Sequence, residues 1–154
     1  MLKIRIIDTA TNKDLHTYPD PSGRPTLVTT DYGRLHGHFA SVTATAGTTT
    51  IVAPKGGEGI AITDLIVNIA KGNGASATVQ FEDADGNGPI ILAVLDAETS
   101  TGRNMSIPFQ GKFTGWKAAR IEVVVAVSTA NVTVGYYRIP EDNTLSYSEW
   151  NATR

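Results

Sequence analysis

Asp83-Ala84-Asp85-Gly86-Asn87-Gly88 is the run of residues best suited to chemistry. Oxygen ligands stand at alternate positions and a glycine follows at the sixth, the first half of an EF-hand loop. The twelfth position needs a bidentate Glu and is Val94. Asp-Gly and Asn-Gly pairs also form tight turns, and the flanks read as strands. Asp83, Asp85 and Asn87 therefore stand as calcium candidates, and a plain turn is the expectation. His36-Gly37-His38 puts two imidazoles on one side of an extended chain, too few ligands for an internal metal site. Surface polar residues are the expected reading there, with His16 the remaining histidine. Pro54-Lys55-Gly56-Gly57-Glu58-Gly59 lacks the Gly-Lys-Ser/Thr ending of a phosphate loop. Trp116 and Phe113, in a glycine-spaced turn, read as core-capping aromatics. No Gly-X-Ser-X-Gly elbow occurs, and the carboxylates are scattered. We expect no enzyme, no catalytic residues and no cofactor.

The stretch Thr48–Glu82 must position these groups. Ile60 and Ile62 alternate with Ala61 and Thr63, so a strand runs from Gly59. The alternation slips at Asp64-Leu65-Ile66, which predicts a β-bulge. After Gly72-Asn73-Gly74, the residues Ala77, Val79 and Phe81 alternate with Thr78, Gln80 and Glu82. That pattern is a half-buried strand with one wet face. The two strands read as an antiparallel pair whose apolar face the rest of the chain must cover.

Composition limits the alternatives. The 154 residues suffice for one domain with a core, and 18% are charged. Gly, Thr, Val, Ile and Ala are prominent, which favours an all-β fold. A net charge of −2 with no basic block argues against nucleic acid as the main partner. The absence of cysteine excludes disulfides and thiolate metal sites. No run approaches the length of a membrane helix, and the first residues show no secretory h-region. We expect folding in a cytosol and no membrane partner. The sequons at Asn104, Asn131 and Asn151 then read as chance.

Along the chain, residues 1–40 differ in pattern from residues 41–139. Leu2–Ile6 alternates as an edge strand with Lys3 and Arg5 outward. Turns come next, at Asp8–Lys13 and at the proline-rich Pro19–Pro25. We expect an N-terminal arm or small β subdomain at 1–40. Strands are expected at 41–46, 49–54, 59–70, 76–82, 89–95, 104–110, 119–127 and 131–139. That spacing predicts an antiparallel β-sandwich, jelly-roll-like, over 41–139. The strand at 119–127 is apolar on both faces toward its end, which places it in a sheet centre. Ser128–Asn131 should turn it back to pair with 131–139 as a hairpin. The C-terminal tail, 140–154, shows no strand or helix period. It carries Leu145, Tyr147 and Trp150, so it should fold onto its own body or dock on another chain.

Between Ile51 and Arg138 the residues carry a resemblance. The order is Ala-Pro-Lys-Gly-Gly-Glu, Ile-Thr-Asp-Leu-Ile-Val, Val-Gln-Phe-Glu-Asp, Phe-Gln-Gly-Lys-Phe-Thr-Gly-Trp-Lys-Ala-Ala-Arg-Ile-Glu and Thr-Val-Gly-Tyr. This resembles the small β-rich virion proteins of tailed bacteriophages, nearest to the capsid decoration, or cementing, proteins. Asp31-Tyr32 ahead of the sandwich resembles the same group, and the likeness covers roughly residues 25–139. It implies a jelly roll or sandwich, self-association often as homotrimers, and binding to the capsid lattice, with no catalytic residues to transfer.

The expectation is a structural virion protein made in the host cytoplasm and seated on the capsid surface. Its partners would be itself, as a trimer, and the major capsid protein. The expected contact residues are Leu2, Ile4, Tyr32, Phe39, Leu145, Tyr147 and Trp150. Two other readings stand beside it. One is a head–tail adaptor or a tail or fibre component. The other is a carbohydrate-binding β-sandwich with Tyr136, Tyr137, Tyr147, Trp116 and Trp150 as a stacking platform.

Overall fold

Residues 37–153 are described throughout in a computed structural model of the chain. Before them, four backbone strands are described: β1 (Ile7–Asp8), β2 (Lys13–Asp14), β3 (Thr17–Pro19) and β4 (Pro25–Leu27). The chain divides into Met1–Asp31 and Tyr32–Arg154. In the first unit β1 pairs antiparallel with β2, and β3 with β4. The turn expected at Asp8–Lys13 falls between β1 and β2. Pro19 ends β3 and Pro25 begins β4, where the two are partners in the register. The edge strand expected at Leu2–Ile6 lies outside the described residues, as do His16, Tyr32 and His36.

The second unit holds eight longer strands: β5 (His38–Ala44), β6 (Gly47–Val52), β7 (Gly59–Ile69), β8 (Ser76–Glu82), β9 (Ile90–Asp96), β10 (Arg103–Thr114), β11 (Arg120–Ala126) and β12 (Ala130–Ile139). They form two four-stranded antiparallel sheets in the orders β10-β7-β12-β5 and β6-β11-β8-β9. This interleaving is the jelly roll: apart from the β8–β9 pair, the chain passes to the other sheet at each connection instead of pairing neighbours in sequence. The fold is an all-β antiparallel sandwich.

Two expected pairings are corrected. β11 and β12 do not form a hairpin. β11 lies between β6 and β8, and β12 lies between β5 and β7. Likewise β7 and β8 sit in opposite sheets. Alternation states which side chains point inward, and it is silent on which strand lies alongside. The central position expected for the 119–127 strand is observed, since β11 has a partner on each edge.

The inward sets make one core. Ile60, Ile62, Leu65, Val67 and Ile69 of β7 face Val79 and Phe81 of β8 and Ile121, Val123 and Val125 of β11. The switch from even to odd numbers along β7 needs one extra residue. Thr63 is skipped in the register with both β10 and β12, one position before the expected slip. Opposite it, β10 bulges between Pro108 and Phe113. The Tyr137 hydroxyl donates to the Gly111 carbonyl at 3.2 Å and pins that bulge.

The tail closes one end of the sandwich. After a single 3₁₀ turn at Glu141–Asn143, helix α1 (Tyr147–Ala152) starts at a capping box. The Ser146 hydroxyl accepts from the Glu149 amide while the Glu149 carboxylate accepts from the Ser146 amide. Thr144 Oγ1 accepts from the Gly59 amide at 3.0 Å and tacks the tail to the start of β7. A Cβ on Gly59 would stand 2.7 Å from Thr144 Cγ2, so glycine there makes room for the tail. Among the described residues no helix is long and apolar enough to cross a membrane.

Candidate functional site

The Asp83–Gly88 loop joins β8 to β9. Asp83 is buried, and its carboxylate is fully engaged. Oδ1 accepts from the amides of Asp85 at 3.0 Å and Asn87 at 2.9 Å. Oδ2 accepts from Asn87 Nδ2 at 2.8 Å and from the indole Nε1 of Trp116 at 2.6 Å. Burial alone would raise this carboxyl. The donors of Trp116 and Asn87 outweigh burial and hold it below the usual aspartate value. Asp85 is exposed while Asp83 is buried, and both oxygens of Asp83 already accept from amide and indole donors. Among the described residues no group of three or more His, Cys, Asp or Glu is placed to hold a metal. What the sequence presents as half an EF-hand is a loop built around one structural carboxylate.

Trp116 links that loop to the tail. Its ring is fully buried, 4.9 Å from Tyr147 in an edge-on contact and 4.9 Å from Trp150. Trp150 Nε1 donates to the Thr114 carbonyl at 2.8 Å. Tyr147 and Trp150, contact residues of a tail expected to fold onto its own body or dock on another chain, pack against their own sandwich, because helix α1 brings both rings onto Trp116. Leu145 keeps 42% exposure. The stacking platform expected for a glycan is not assembled by those aromatics. Trp116 and Trp150 are buried, Tyr136 packs at the core edge beside His38, and Tyr137 is tied to the β10 bulge.

The fold assembles a carboxylate pair that the sequence holds forty residues apart. Gln80 of β8 stands opposite Glu122 of β11, and Glu82 opposite Arg120. Gln80 Nε2 donates to Glu82 and to Glu122, each at 2.9 Å, and Arg120 Nε donates to Glu122 at 2.9 Å. The hydrogen bond to Glu122 pushes the Glu82 carboxyl up, helped by burial. Burial pushes Glu122 up too, but Gln80, Glu82 and Arg120 outweigh it and keep it ionised. The polar groups of this network serve one another, so its role is to let a sheet carry a buried charge.

The remaining candidate is the outer face of sheet β10-β7-β12-β5. Three cross-strand rows make it up. Phe39, Gly135, Asp64 and Pro108 form the first row. Ser41, Thr133, Ile66 and Ser106 form the second, and Thr43, Asn131, Asn68 and Asn104 the third. The face is knitted by hydrogen bonds between Ser41 and Thr133 at 2.8 Å and from Thr43 to Asn131 at 2.7 Å. Asp64 is the only charged residue in these rows. Phe39 is 74% exposed and Ile66 43%. Phe39 lies close over its neighbour in the row: a Cβ on Gly135 would stand 3.0 Å from its Cε1 and 2.6 Å from Thr63 Oγ1. Phe39 and Leu145 are therefore the expected contact residues that the structure leaves exposed. Leu2, Ile4 and Tyr32 lie outside the described residues. Gly135, Asp64 and Ile66 have no signal in the sequence, since only the strand pairing makes them neighbours of Phe39.

No protein-family model and no curated protein matches the chain. Among solved structures it is similar to a chain of the Bacillus endospore appendages, which form disulfide-linked pili. The identity is 12%, covering 68% of this chain and 88% of that one, with a TM-score of 0.36. It is also similar to a chain of the extra small virus VLP of the giant freshwater prawn Macrobrachium rosenbergii. There the identity is 10% over 80% and 88% of the two chains, with a TM-score of 0.31. The infectious bursal disease virus VP2 subviral particle gives 15% identity over 81% of this chain and 37% of that one, with a TM-score of 0.27. At such scores no function follows from the likeness.

Proposed function

We propose that this chain is a non-catalytic structural protein of a tailed-phage virion that binds the outside of the capsid and stabilises its lattice. The observation that carries the proposal is the outer face of sheet β10-β7-β12-β5, hydrogen-bonded to itself and bearing one charge in its three rows, Asp64. The core of a protein–protein contact is depleted of charge and centred on aromatic anchors, and Phe39 over Gly135 has that character. The partner is the major capsid protein, and the bound form is a trimer at junctions between capsid subunits, as the resemblance of residues 51–138 implies. A protein that binds only the assembled lattice stabilises it by mass action, with no chemistry required. The tail has its large aromatic side chains committed to the sandwich, which leaves Leu145 as its exposed residue among the expected contacts.

Co-sedimentation with assembled capsids tests the proposal. The intact protein should pellet with capsids at saturable occupancy. Phe39→Ala should lower that occupancy by about tenfold or more while circular dichroism stays unchanged, as expected for loss of an interface anchor. Equal binding by the two proteins would exclude this face as the contact.

A further inference from the structure

Strand β9 is a sheet edge of unusual character. β8 pairs with it on one side, and among the described residues no strand pairs with the other. Proteins blunt such edges with charge, proline or bulges. β10 does so, with Arg103, Lys112, Pro108 and its bulge. β9 does so less: Ile90-Ile91-Leu92-Ala93-Val94-Leu95 contains neither charge nor proline, and its devices are Asp96 at the end and one slip against β8. Ile91 is 58% exposed and Val94 50%.

The register explains why both point outward. β9 slips against β8 between the Val79–Ala93 and Gln80–Ile91 pairs, leaving Leu92 as the extra residue. Ile91 therefore shares the outer face with Gln80, and Val94 shares it with Thr78, although the two lie three positions apart.

That spacing makes the strand complementary to itself, and we propose that β9 pairs antiparallel with β9 of a second copy of this chain. With the two-fold axis between Leu92 and Ala93, Ile91 falls opposite Val94 of the second copy, and Val94 opposite its Ile91. On the outer face this gives a contiguous aliphatic cluster at cross-strand distance. Ile90 falls opposite Leu95. Asp96 falls opposite Pro89, so the two Asp96 charges stand at opposite ends and do not meet. Pro89 lacks an N–H and ends the ladder there. An unrelated strand would have no reason to match this register, whereas a two-fold contact between identical edges is matched by construction. Two four-stranded sheets become one continuous sheet.

The chain contains no cysteine, so single introduced thiols report the register directly. Ile91→Cys and Val94→Cys proteins are oxidised separately and as an equimolar mixture, without capsids. The proposal expects a disulfide-linked dimer in the mixture and little in either protein alone, because only the 91–94 pair is opposed. Val94→Lys should halve the mass seen by sedimentation equilibrium, with an unchanged circular dichroism spectrum. Equal cross-linking in all three samples, none in the mixture, or an unaltered mass for Val94→Lys would each overturn it. The readout needs no capsid, so it can fail while capsid binding stands.

Discussion

The indole N–H of Trp116 donates to the Asp83 carboxylate at 2.6 Å, joining the β8–β9 loop to the aromatic cluster under the tail. Four donors converge on that one carboxylate. Asp83→Ala strands them, and buried donors left without partners cost about 1–3 kcal/mol each before relaxation. We expect a loss of about 2–4 kcal/mol in urea unfolding. Calcium should not replace the lost contacts: melting with excess calcium and with a chelator should coincide for the wild-type protein.

The same carboxylate sets an acid limb. Its folded value is depressed below the usual aspartate value of 3.8, so it stabilises the fold fully above that pH. The contribution is lost as pH falls through the unfolded value toward the folded one. Asp83→Asn lacks this titration. Its stability should be lower than wild type at neutral pH, and the gap should narrow as pH falls below about 4. Parallel stability curves from neutral pH into the acid range would contradict the assignment.

The tail is part of the core. Trp150 is 6% exposed, with its N–H on the Thr114 carbonyl and its ring on Trp116. Trp150→Ala should cost about 3–5 kcal/mol. Deleting residues 141–154 should lower the melting temperature further, since Thr144 also leaves the Gly59 amide. A truncated protein with wild-type stability would show that the tail contributes nothing to the sandwich.

Between β11 and β12, Val127 sits at φ 59 and is 62% exposed. A β-branched residue in the left-handed region is strained by about 1–3 kcal/mol. Asn tolerates that region and the exposed Val127 side chain contributes little packing, so Val127→Asn should raise stability by about 1 kcal/mol. Thermal or urea unfolding reads the sign directly.

Element positions are legible in the sequence because burial imposes a period of two. Strand β8 falls at the expected 76–82, and the β7 slip appears within one residue of its expected place. Partners are not legible. Val123 must point inward whichever strand lies beside it, so the β11–β12 hairpin and the jelly-roll crossover fit the same pattern. Helix α1 is too short for a helical period, although Ser146 and Glu149 already spell its capping box. The low-charge face is hidden for a related reason. Phe39, Asp64, Pro108 and Gly135 come from four separate strands and become one row only after pairing. The motif around Asp83 marks the right residue, but its chemistry is set by Trp116, a donor from a distant turn.

The central claim is that the Phe39 face docks on a capsid. The most direct test is the occupancy of assembled capsids by Ile66→Lys, measured by co-sedimentation against wild type. Ile66 is 43% exposed at the middle of that face and stands outside the core cluster. A normally folded variant whose occupancy falls by about tenfold or more is the predicted result, because a lysine there places an unpaired charge in a charge-poor contact. A variant that decorates capsids as fully as wild type would contradict the claim.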